Sequence, residues 1–120
     1  MRAVSLPIAT ALLVVAPAAL AVGPTDGAGP QAGIERAQAI VTTRCTNCHV
    51  TLPTYPGVST PPNGVVFERP EELKRHAERI GERVSNGTMP PGNVTGLTDE
   101  EKSALLAWAR AAHKSGSRRK

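Results

Sequence analysis

The sequence predicts an all-α chain of three main helices joined by long loops. Apolar residues recur at spacings of three and four in three separate stretches. Helix-start and helix-stop residues bracket those stretches. The segments between them are dense in proline and glycine, and no run alternates apolar and polar residues as a half-buried strand would.

The helical part is preceded by a different kind of segment. After Met1 and Arg2 the chain carries no charge until Asp26, and the apolar run ends in small residues at Ala19–Ala21. A short basic start, an apolar middle and an "ALA" ending predict a secretory signal peptide over residues 1–21, with cleavage after Ala21. An uncleaved segment anchored in the membrane is the alternative, since the run is long enough to approach a bilayer span. Either way the remainder is expected outside the cytoplasm, in the periplasm. Residues 22–30 are rich in glycine and proline and are expected to form a linker.

The first helix is predicted from Gln31 to about Thr43, with Ile34, Ala37, Ile40 and Val41 on one face. It runs directly into Cys45. Residues 50–70 hold five prolines, Pro70 included, together with Val65, Val66 and Phe67. Such a loop is too broken for regular structure and too apolar for a plain linker, so it is expected to wrap around something. Pro70 opens the second helix at a favoured first-turn position. Leu73, Ala77, Ile80 and Val84 form its stripe, Glu71 and Glu72 match the positive end of its dipole, and Asn86-Gly87 ends it. A turn-rich loop, "TMPPGNVTG", follows. Thr98 and Glu101 then form a capping-box pair for the third helix, whose buried face is Leu105, Trp108, Ala109 and Ala112. Asn86 and Asn93 each begin a glycosylation-like triplet, but both stand where a turn favours asparagine.

Composition adds two expectations. The part after the signal segment is about 99 residues and has only Tyr55, Phe67 and Trp108 as aromatics, so its core is small and a staple is expected. Charge is uneven. Residues 22–113 hold nine Lys and Arg against ten Asp and Glu, whereas Lys114, Arg118, Arg119 and Lys120 are all positive. Residues 31–113 are thus expected to be the folded domain and 114–120 a flexible basic tail, suited to an acidic partner or an anionic membrane surface. No basic segment interleaved with aromatics points to nucleic acid.

The chemistry concentrates in "CTNCH", which contains both cysteines, Cys45 and Cys48, followed by His49. A structural zinc site needs four ligands, and this cluster offers three with no second cysteine pair elsewhere. A redox disulfide is chemically open to Cys-x-x-Cys, although that use normally accompanies a βαβ pattern absent here. The five-residue pattern as a whole fits covalent haem: two thiols add to the two vinyl groups, and the adjacent histidine reaches the iron. One haem c per chain is therefore expected, with Cys45 and Cys48 as thioether anchors and His49 as the proximal iron ligand. Export agrees with this, since haem of this type is attached outside the cytoplasm.

Met89, His76 and His113 are the candidates for the sixth iron ligand. Met89 lies about forty residues after His49, in a loop, flanked by prolines that hold it without helical strain. A methionine that merely fills a core belongs on a helix face, so Met89 is favoured as the distal ligand. His76 lies at the edge of the second helix's stripe and is expected to be partly buried, near a haem carboxylate at most. His113 stands at the end of the third helix, where a cation suits the dipole. With both axial positions filled by His and Met, a raised potential and outer-sphere electron transfer are expected, not catalysis. A haem-based ligand sensor or binder with an open or labile sixth position is the second reading, and a thiol–disulfide oxidoreductase the third.

These residues together resemble class I monohaem cytochrome c. The resemblance implies the cytochrome c fold around one covalently bound haem, crossed first and last helices, and a proline carbonyl near the proximal histidine. Gly33 and Trp108 would meet at the helix crossing, and Pro53, Pro56, Pro61 and Pro62 are candidates for the carbonyl. "PPNGVVFERPEELKRHAERI" and "TMPPGNVTGLTDEEKSALLAWA" are similar, more closely, to the C-terminal cytochrome c domain of bacterial membrane-bound urate oxidases, over about residues 34–112. That resemblance carries over onto Cys45, Cys48, His49 and Met89 only. It implies partners that donate and accept electrons: a dehydrogenase or oxidase on one side and a respiratory acceptor on the other. The membrane domain that would hold urate has no counterpart in this sequence, so no urate-binding residue is assigned and the chain is expected to serve a separately encoded enzyme.

Overall fold

The computed structural model describes residues 30–118; the predicted signal peptide, nearly all of the predicted linker and the last two residues lie outside them. Four helices form, in the order α1 (Pro30–Arg44), α2 (Pro70–Arg75), α3 (Ala77–Ser85) and α4 (Asp99–Ser117), with single 3-10 turns at Pro62–Gly64 and Pro91–Asn93. The described residues are mostly helical and contain no strand, as the all-α expectation requires. None of these helices is long and apolar enough to cross a membrane.

Every core position expected on α1 is buried: Ile34, Ala37, Ile40 and Val41. The α4 face is buried at Leu105, Trp108 and Ala109, with Ala112 packed at its margin. α4 lies against both α3 and α1. The crossing with α1 passes at Gly33, where an added Cβ would stand 3.8 Å from the Trp108 ring. A closer approach, not foreseen from the sequence, occurs at Gly81 on α3. A Cβ there would stand 3.0 Å from the Ala109 Cβ, tighter than ordinary packing, so a larger residue would push α3 and α4 apart by a few tenths of an ångström.

α4 begins as its sequence dictates. The Glu101 N–H donates to Thr98 Oγ1 at 3.2 Å and the Thr98 N–H donates to Glu101 Oε2 at 2.9 Å. The buried Glu72 plays a comparable part at the start of α2. Its carboxylate accepts the backbone N–H groups of Glu68 and Arg69 at 2.9 and 3.0 Å, and the Arg69 guanidinium beside it holds the carboxyl below its ordinary range.

Two expectations change. The second helix is broken at His76 (φ −101°, ψ 9°) into α2 and α3. Apolar periodicity does not register this kink, because Leu73, Ala77, Ile80 and Val84 stay buried on both sides of it. At the other end, α4 continues through Lys114 to Ser117, so the first residues of the expected flexible tail are helical. No proline or capping residue interrupts it there. Gly116 sits in open space, and the Ser115 hydroxyl donates back to the Ala111 carbonyl at 3.0 Å.

Leu73 is fully enclosed and tests the core directly. Leu73→Ala is expected to cost about 2–5 kcal/mol. In urea this appears as a lower unfolding midpoint with an unchanged slope.

Candidate functional site

The turn that carries the cysteines is wound directly from the end of α1. The Cys45 N–H continues the helical pattern to the Val41 carbonyl at 2.8 Å. The Cys48 and His49 N–H groups then fold back onto the Cys45 carbonyl at 3.1 and 2.9 Å. Cys45, Cys48 and His49 are thereby presented from one compact turn, all partly buried.

His49 is fixed by the loop that follows. Its Nδ1 lies 3.0 Å from the Val65 carbonyl oxygen. A carbonyl only accepts, so Nδ1 carries the proton in this contact and Nε2 keeps its lone pair. The Phe67 N–H donates to the His49 carbonyl at 2.8 Å, and the Phe67 ring lies 5.1 Å from the imidazole, centroid to centroid. The carbonyl that orients His49 therefore belongs to Val65. None of the four expected prolines supplies it; their rings shape the loop while Val65 and Phe67 make the contacts.

Met89 is positioned from the other side of the chain. Its N–H donates to the Arg83 carbonyl at 3.1 Å, at the end of α3, and the Met89–Pro90 peptide is cis. Asn93, with φ 52°, closes the next turn: its side chain accepts the Leu97 N–H at 2.8 Å and donates to the Leu97 carbonyl at 3.1 Å. Asn93 is thus a turn residue. Asn86 is engaged similarly, its Oδ1 accepting from the Thr88 N–H at 3.0 Å.

These pieces enclose one cavity of about 430 Å³, within the range of small-molecule and cofactor sites. Cys45, Cys48, His49 and Met89 all line it. The fold brings the four sequence-predicted residues together. Val65, Phe67, Ile80, Val84 and Leu105 give it apolar walls, the first two from the loop expected to wrap around something. His76 also lines it, half-buried, with its ring edge-on to Phe67 at 6.0 Å. His113 does not; it is exposed on α4, 3.8 Å from the Glu78 carboxylate.

Three polar features of the cavity were not anticipated from the sequence. Arg79 and Arg83, exposed on α3, reach its wall, and neither has a carboxylate within 4 Å among the described residues. With His76 they share one helix face, a spacing visible in the sequence, but exposed arginines ordinarily signal only a solvated face. Arg44, next to Cys45, also lines the cavity while its guanidinium is held by Glu101 and the Thr95 carbonyl. Thr95 Oγ1 is buried at the same cavity without a hydrogen-bond partner. An orphaned hydroxyl is rare in a folded protein and marks a place where a bound polar group would be satisfied.

The cysteines are free thiols. Burial, and secondarily the neighbouring Cys48, push the Cys45 thiol up to about 11. Among the described residues no group of three or more His, Cys, Asp and Glu side chains comes together in a way that would hold a metal ion without help. Comparison with protein-family models, with curated proteins and with solved structures gave no match.

Proposed function

We propose that this chain is an exported monohaem c-type cytochrome that passes single electrons between redox partners. The observation that carries the reading is the meeting of Cys45, Cys48, His49 and Met89, from two distant parts of the sequence, around one mainly apolar cavity. Several features of the cavity fit haem. Apolar walls suit the porphyrin. Arg79 and Arg83 at the wall suit the two carboxylates that haem carries, since carboxylates in a partly desolvated site need cationic or hydrogen-bonding partners. The unpartnered Thr95 hydroxyl suits a further polar contact.

On this reading Cys45 and Cys48 would hold haem covalently, and the Nε2 of His49 and the thioether of Met89 would bind its iron. Haem supplies a one-electron Fe(III)/Fe(II) couple. The chain orients the His49 ring through Val65, delivers the Met89 sulfur from a proline-bounded loop and keeps water off the apolar walls. A carbonyl that accepts from Nδ1 also increases the donor strength of Nε2. With His49 and Met89 both bound to the iron, no place would remain there for a substrate, which would favour electron transfer over catalysis. The donor is proposed to be a urate-oxidase-like or other dehydrogenase, and the acceptor a respiratory protein. The basic residues of the segment 114–120 are proposed to favour an acidic partner or an anionic membrane surface.

The raised Cys45 thiol weighs against thiol–disulfide exchange, which depends on a readily formed thiolate. The test is optical. Protein purified after export should retain haem absorption through denaturation and acid–acetone extraction, and its ferric form should show the weak long-wavelength band of an Fe–S bond. A polypeptide that emerges from extraction without haem absorption would overturn the reading.

A further inference from the structure

We infer that Arg44 is a positioning residue: it locks the downstream end of the Met89 loop to the cysteine-bearing end of α1 and so governs how firmly the Met89 sulfur is held as an axial ligand. This rests on the haem reading above. The Met89 loop has two attachments. Upstream, the Met89 N–H and the Thr88 hydroxyl both donate to the Arg83 carbonyl, at 3.1 and 3.3 Å. Downstream, Arg44 Nη1 donates to the Thr95 carbonyl at 2.8 Å. Between them the loop is exposed at Pro91, Gly92, Asn93 and Val94, the last being 53% exposed, so side-chain burial there does little to hold it.

Arg44 serves this purpose because its other edge is itself fixed. Nε lies 3.0 Å from Glu101 Oε2 and Nη2 lies 3.1 Å from Glu101 Oε1, a two-pronged pair. Glu101 is the same residue that caps α4. One planar group thus joins the residue before Cys45, the start of α4 and the loop after Met89. A lysine carries one point charge on a flexible stem and does not reproduce both edges of that fork. The pair is also sheltered: the Arg44 and Glu101 side chains are 25% and 23% exposed. Arg36–Glu100 links α1 to α4 as well, but at 57% and 82% exposure and without touching the loop. That pair is therefore a built-in control, worth little to stability.

The experiment uses the holoprotein. Added imidazole must displace Met89 from the iron, so its apparent affinity, read from loss of the ferric long-wavelength band, reports how tightly the loop is closed. Arg44→Lys is expected to raise that affinity about tenfold, the scale of one charge-assisted hydrogen bond. Haem retained through extraction is expected to match wild type. Glu101→Gln keeps a capping acceptor, loses the fork and moves the affinity in the same direction by less, which provides a second readout should the Arg44 variant fold poorly. Arg36→Gln is expected to leave it unchanged. Thr98→Ala removes the cap but not the Arg44 contacts, and is expected to lower the melting temperature without a comparable change in imidazole affinity. Wild-type affinity in both Arg44→Lys and Glu101→Gln would overturn the inference, as would an equal increase in Thr98→Ala or Arg36→Gln. Failure of the haem reading looks different: the wild-type protein itself would lack extractable-resistant haem or the band.

Discussion

Replacing both cysteines, Cys45→Ala with Cys48→Ala, is expected to abolish haem that survives extraction and to remove most of the protein's stability. The first effect follows, on the proposed haem reading, from losing both thioether anchors. The second follows from the shape of the fold. The largest fully enclosed side chains are only Leu73, Leu105 and Val41, and Phe67 and Trp108 are the only buried aromatics. Around this thin core stands a cavity of about 430 Å³. A sealed void of that size, at about 24 cal/mol per Å³, would cost about 10 kcal/mol, comparable with the entire stability of an ordinary domain. Water entering from the open side lowers the figure, yet the walls formed by Val65, Phe67, Ile80 and Val84 still lose the apolar surface they were packed to meet. The measurements are far-UV circular dichroism and a urea titration of the exported double variant against wild type. A helical signal reduced at room temperature, or a midpoint shifted to very low urea, is the expected result. A double variant that unfolds at the wild-type midpoint would show that the fold does not depend on an occupant of this cavity.

The helices, and the four residues that meet at the cavity, were legible in the sequence for a common reason. Each is announced by a local pattern: the 3.6-residue stripe of Ile34, Ala37, Ile40 and Val41, the Thr98–Glu101 box, the spacing of Cys45, Cys48 and His49, and a methionine placed among prolines. What stayed hidden is what depends on contacts between distant residues. The Val65 carbonyl on His49 comes from a backbone group, which has no sequence signature, whereas the resemblance implied a proline carbonyl. Gly81 against Ala109 is a matter of two helices approaching closely, invisible in either one alone. Arg44 carries no signal of its own in the sequence, because the groups that hold it, Glu101 and the Thr95 carbonyl, lie more than fifty residues on. The kink at His76 escaped because hydrophobic periodicity survives a single non-helical residue. The continuation of α4 into Lys114–Ser117 escaped because charge and small residues resemble a tail when nothing shows the helix behind them.

Met89→Ala is expected to leave haem content unchanged, abolish the ferric long-wavelength band and lower the reduction potential by on the order of 100 mV, since axial ligands command a span of about 0.8 V. A thioether is a soft, neutral donor that favours the ferrous state, and removing it withdraws that preference. The change should stay local. The backbone of the loop is attached to the helices by the Met89 N–H on the Arg83 carbonyl and by Arg44 on the Thr95 carbonyl, and is stapled internally by Asn93 and Leu97; none of these uses the methionine side chain. Cys45, Cys48 and His49 sit on a separate turn whose hydrogen bonds run to α1 and to Val65. The variant should also bind carbon monoxide much faster in its ferrous form, because the position Met89 is proposed to fill would be open. His76 provides the sharpest contrast, since it lines the same cavity and is half-buried. Were His76 the sixth ligand, Met89→Ala would leave the spectrum and the potential where they were, and His76→Ala would change both. A wild-type protein that already binds carbon monoxide as fast as Met89→Ala would point instead to an open or labile sixth position, and so to a ligand binder. Potentiometry and carbon monoxide stopped-flow on wild type, Met89→Ala and His76→Ala therefore assign the sixth ligand and choose between carrying electrons and binding a ligand.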